Sequence, residues 1–133
     1  MMVTRIAAVL AGLTLASLAH AQSDHVIGSY NTWITAQDMR NSQGVPLTDF
    51  CAMVQQDRAN LHRFGRQDRL DGYDHFFADA ANRARISTNC DVAPALRDYI
   101  RRSVQQQEPM YMNVTIYGSG DRVTRVHVRE GAG

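Results

Sequence analysis

The change of hydrophobic period near residue 110 constrains this chain more than any other feature. Met110, Met112, Val114 and Ile116 alternate with Tyr111, Asn113, Thr115 and Tyr117. A period of two marks a half-buried strand. Gly118-Ser119-Gly120-Asp121 is turn chemistry, and Val123 to Val128 is a second β-rich run. Together they predict a β-hairpin with strands at 110–117 and 122–128. A hairpin alone is not stable in water, so the residues before it must supply a partner layer.

Those residues carry helical spacing instead. Phe50, Val54, Leu61 and Phe64 recur at the helical period behind Thr48 and Asp49, and Gly65 is placed to end the run. This predicts a helix over 48–64, with Thr48 as N-cap. Asp71 can cap a second helix over 71–84, with Tyr73, Phe76, Phe77, Ala80, Ala81 and Ala84 on its buried stripe. Asp91 can cap a third over 92–104, whose stripe is Leu96, Tyr99, Ile100 and Val104. Tyr30 to Thr35 is rich in aromatic and β-branched residues and reads as a strand near 30–35 that can join the hairpin. Strands and helices do not alternate, so no parallel sheet is expected. The class is α+β, with three helices packed on a C-terminal hairpin.

The first residues point to a compartment. Arg5 precedes an apolar stretch from Ile6 to Ala19, and Ala19-His20-Ala21 puts small residues where a signal peptidase reads. This order predicts a cleavable secretory signal over 1–21 and one small mature domain over 22–133. The apolar stretch is short for a bilayer span, so no span is expected in the mature chain. The expected location is the periplasm or the extracellular medium.

Cys51 and Cys90 are the only cysteines. In an exported chain two cysteines most simply pair. Neither belongs to a C-x-x-C pair, and no Cys/His spacing fits zinc, so no metal is assigned. Without Arg5 the arginines and the acidic residues are equal at 13 each, and lysine is absent. Such a neutral chain argues against a nucleic-acid binder and against a polybasic membrane-surface protein. No P-loop, dinucleotide fingerprint or serine-nucleophile elbow is present, so no cofactor is assigned.

One helical position is out of keeping. Asp57 falls inside the apolar stripe of the first helix, where a carboxylate is costly unless paired. Arg58 and His62, four residues apart, share one flank of the same helix next to the apolar face. One reading makes Asp57, Arg58 and His62 a catalytic cluster, with His62 as general base and Arg58 as anion clamp. The plainer reading pairs Asp57 with Arg83 or Arg85 from the second helix and leaves His62 at the surface. Asp68, Asp71 and Asp74, with Asp79 further on, offer oxygen ligands, but they lack the spaced set of a Ca²⁺ loop and are better read as caps and a solvated face. Tyr73, Phe76 and Phe77 read as core. His127 has no evident partner in the sequence.

Trp33, Tyr111 and Tyr117 are the candidate binding residues, because aromatic side chains dominate recognition surfaces; Trp33 reads equally well as a core residue. The function this supports is a small, disulfide-linked, exported binding module without catalytic activity, whose partner is another envelope or extracellular protein. The alternatives are a small exported hydrolase built on Asp57, Arg58 and His62, and an accessory subunit of a membrane-associated complex.

Overall fold

A computed structural model describes residues 24–132. The secretory signal expected over 1–21 lies outside the described residues. The chain forms β1 (His25–Ile34), α1 (Phe50–His62), α2 (Ala80–Ile86), β2 (Cys90–Val92), α3 (Arg97–Gln106), β3 (Met110–Ser119) and β4 (Arg122–Glu130). Short 3₁₀ turns at Phe76–Ala78 and Pro94–Leu96 precede α2 and α3. The class is α+β, as the sequence predicts.

The four strands lie in the order β1-β3-β4-β2. The hairpin β3–β4 is the centre of the sheet. Strand β1 pairs antiparallel with β3, with Trp33 opposite Tyr111 and Tyr30 opposite Val114. It begins five residues before the predicted strand, at His25. Gly28 sits at an irregularity in this pairing. A Cβ there would stand 2.7 Å from Phe76 Cε2, so only glycine lets β1 approach that ring.

The expectation of no parallel pairing is overturned. Cys90, Asp91 and Val92 pair parallel with Val126, His127 and Val128. A three-residue strand has no readable period, and the crossover back to the sheet uses α3 and the hairpin. Asp91 therefore sits in β2 and caps nothing, and the third helix starts at Arg97 rather than 92.

The second predicted helix is also corrected. Residues 71–75 are not helical, a 3₁₀ turn follows, and α2 begins only at Ala80. The aspartates of this segment capture nearby backbone donors, which competes with a continuous helix. Asp74 accepts from the Phe77 N–H at 2.7 Å and Asp79 from the Asn82 N–H at 2.8 Å. In α1 the N-cap is Asp49, which accepts from the Cys51 N–H, rather than Thr48.

The helices cover one face of the sheet. Ile34, Met110, Met112, Val114, Ile116, Val126 and Val128 point inward with essentially no exposure. They meet Met53 and Val54 of α1, Phe77 and Ile86. Tyr73, expected in the core with Phe76 and Phe77, is 70% exposed. Buried Asn82 ties α2 to the hairpin turn: its amide donates to Asp121 O and its carbonyl accepts from the Val123 N–H. Cys51 of α1 and Cys90 of β2 are joined by a disulfide with Cα atoms 5.9 Å apart. This bond fixes the short edge strand to the first turn of α1. Among the described residues no helix is long and apolar enough to cross a membrane.

Candidate functional site

Asp57 lies in the interior, as its place in the apolar stripe requires, and its cation comes from an unexpected position. Arg58, the next residue, is fully buried and curls back to donate from Nε to Asp57 Oδ2 at 2.8 Å. Its Nη1 donates to Asp74 Oδ2 and to the Gly72 carbonyl, each at 2.9 Å. Its Nη2 donates to Thr32 Oγ1 at 3.1 Å, and the guanidinium carbon stands 4.0 Å from the Tyr30 ring centroid. Thr32 Oγ1 is 3.0 Å from both Asp57 Oδ1 and Asp71 Oδ1, so its one proton serves one of them at a time.

The expected pairing of Asp57 with Arg83 or Arg85 does not occur. Arg83 donates to the carbonyls of Phe77 and Ala78, and Arg85 donates to Asn82 Oδ1. Nor is His62 a surface residue. Its side chain is 5% exposed, with Nε2 3.2 Å from Asp74 Oδ2. So Asp57 and Arg58 meet directly, and His62 joins them only through Asp74. Two carboxylates share one guanidinium here, and burial pushes the Asp57 carboxyl up to about 7 against the pull of Arg58. Nearby, burial also pushes Asp38 up to about 6, although the Thr35 N–H and the Asn60 amide donate to it. None of Asp57, Arg58 and His62 lines the principal surface hollows.

This network holds the loop over 68–74 against the edge of β1. Asp71 Oδ1 accepts from the Trp33 N–H at 2.8 Å, and Asp71 Oδ2 accepts from the Asp68 N–H at 2.8 Å. The Gly72 N–H donates to the Asn31 carbonyl at 2.6 Å. A Cβ on Gly72 would stand 2.9 Å from that oxygen, so glycine permits the contact. The aspartates weighed as cation ligands all have protein hydrogen-bond partners. Among the described residues no group of His, Cys, Asp or Glu could hold a metal ion.

The face of the sheet away from the helices carries the aromatic candidates. Trp33 and Tyr111 are cross-strand partners with ring centroids 5.0 Å apart. Both are half-buried. Tyr117 shares the face but stands six residues from Tyr111, about 20 Å along the strand. Its ring is covered by Arg125, whose guanidinium carbon lies 3.5 Å from the centroid. The structure therefore brings Trp33 and Tyr111 together and leaves Tyr117 apart. His127, without an evident partner in the sequence, has Asp91 Oδ2 2.8 Å from its Nδ1.

A residue that sequence reasoning missed completes the patch. Leu70 has φ +70° and is 67% exposed. With Trp33, Thr35, Arg69 and Pro109 it borders a shallow hollow of about 410 Å³. A leucine in the left-handed region costs about 1–2 kcal/mol. Such strain persists only where the surroundings enforce it, and it concentrates at functional positions. Here the hydrogen bonds of Asp71 and Gly72 enforce it. The available cue was a single apolar residue between Arg69 and Asp71-Gly72 in an otherwise polar run.

No family model matches this chain, and no curated protein or solved structure matches it significantly.

Proposed function

We propose that the mature chain, residues 22–133, is an exported, non-catalytic binding protein. It works in the periplasm or the extracellular medium and docks another envelope or extracellular protein through the patch of Trp33, Tyr111 and Leu70. The observation that carries this reading is Leu70: a strained backbone presents a large apolar side chain to solvent beside the lone tryptophan. An apolar residue without a partner is normally free to turn away, whereas this one is pinned outward. Aromatic anchors ringed by polar groups are the usual composition of a recognition hot spot. Export is supported by the signal-like leader and by the Cys51–Cys90 disulfide, which suits an oxidising compartment.

The hydrolase reading is less well supported by the same geometry. The polar atoms of Arg58 and Asp57 meet one another and their neighbours inside the fold, and the cluster positions the 68–74 loop. In this account Asp57, Arg58 and His62 are supports of the binding patch.

The test is photocrosslinking in the native cell envelope. A photoreactive residue at position 70 should yield a discrete protein adduct. The same residue at position 26, where Val26 is 60% exposed at the far end of β1, should not. Equal adducts at both positions, or none at 70, would contradict the proposal.

A further inference from the structure

A cleft at the other edge of the sheet, beside β2, has a different chemistry. It runs between the start of α1, the edge strand β2 and α3, and its volume is about 490 Å³. Phe50 and Met53 form one wall, Val92 another, and Ile100 and Val104 a third. Helix α3 turns Ile100 and Ser103 inward, yet Val104 beside them stays half-buried. The helix stands over the cleft instead of closing it.

The walls cannot easily collapse together. The Cys51–Cys90 disulfide links α1 to β2, and β2 is held by parallel pairing to β4. The far end of α3 is fixed by Gln107 in the left-handed region, whose N–H caps the helix. The cleft is therefore a lasting feature with an apolar lining, in the size range of small-ligand sites.

Its rim is cationic. Arg97 and Arg101 are four residues apart on α3, so they stand on one side of it, and both line the cleft. The Arg97 guanidinium has no hydrogen-bond or ion-pair partner among the described residues, and that of Arg101 is held only by exposed Asp98. The one rim carboxylate, Asp91, is engaged by His127. An apolar slot with a guanidinium pair at its mouth is complementary to a long apolar tail bearing a negative head.

We propose that this cleft binds a single acyl chain with an anionic head group. The chain lies against Met53, Ile100 and Val104, and the head is held by Arg97 and Arg101. The site is independent of the protein-docking patch.

The experiment is a calorimetric titration of the mature, disulfide-intact protein with dodecanoate. Saturable one-to-one binding is expected. Dodecanol, which lacks the charge, should bind at least about tenfold more weakly. The double variant Arg97→Gln/Arg101→Gln should weaken dodecanoate by a similar factor. Both residues are exposed, so the fold is retained. Val104→Trp should fill the slot and abolish binding; Thr48→Trp, at an exposed wall position, gives a second block if the first does not fold. Absence of saturable binding, equal affinity for the alcohol, or an unchanged affinity in the arginine variant would overturn the proposal. So would binding of a peptide with an apolar C-terminus where dodecanoate fails.

Discussion

The Arg58 guanidinium donates to the Asp74 carboxylate at 2.9 Å, sixteen positions along the chain, with both side chains buried. This bond joins α1 to the loop that carries Leu70. Arg58→Met would leave Asp57 and Asp74 buried without their cation, at a cost of about 3–5 kcal/mol. Arg58→Lys should recover little, because one ammonium cannot reproduce a fork that reaches Asp57, Asp74, Thr32 and Gly72 together. Urea unfolding midpoints of the three proteins would check both statements.

The raised carboxyl groups give the protein an acid-side preference. Burial pushes Asp57 up to about 7 and Asp38 up to about 6, from an ordinary 3.8. In the unfolded chain both return to the ordinary value. Between about pH 4 and 7 the folded state holds protons that the unfolded state lacks, so this contribution to stability falls as pH rises through that window. Thermal unfolding should show a higher midpoint at pH 5 than at pH 8. Asp57→Asn should remove most of the difference. A wild-type midpoint that rises steadily from pH 5 to 8 would contradict the assignment.

The disulfide closes a loop with a sequence separation of 39 residues. The chain-entropy model assigns such a closure about 4 kcal/mol. Replacing both cysteines by serine should lower stability by an amount of that order, and amide exchange should rise first in β2, which has only one neighbouring strand. Mass measurement with and without reductant checks the bond itself: two free thiols in protein purified without reductant would refute it.

Much of this fold is legible in the sequence where a period is long enough to read. Met110 to Tyr117 and Phe50 to Phe64 each repeat their pattern several times, and both elements form, although α1 ends at His62 and leaves Phe64 exposed. Cys90–Val92 is too short to show any period, so the parallel edge strand was hidden. The aspartates between 68 and 79 obscured the second helix, since their side chains bond the local backbone instead of capping one continuous helix. Asp57 was legible as a buried charge because it breaks an apolar stripe. Its partner was not, because adjacent side chains on a helix diverge and only a side chain as long as arginine can curl back. Leu70 carries no sequence signal of its backbone strain, which depends on hydrogen bonds made by Asp71 and Gly72 to residues of β1.

Leu70→Gly separates stability from binding. Glycine adopts the left-handed conformation without strain, and the lost side chain was 67% exposed. The variant should therefore be more stable by about 1 kcal/mol, while losing the partner. A variant that is less stable, by chemical denaturation, would contradict the enforced presentation of Leu70.

Trp33 is the only tryptophan in the chain, so 5-fluorotryptophan gives one fluorine resonance at the centre of the proposed patch. The labelled mature protein would be titrated with solubilised native envelope proteins. Docking at the patch predicts that this resonance shifts or broadens saturably, and that Leu70→Gly abolishes the change. A resonance that stays unperturbed throughout the titration would contradict docking through Trp33, Tyr111 and Leu70.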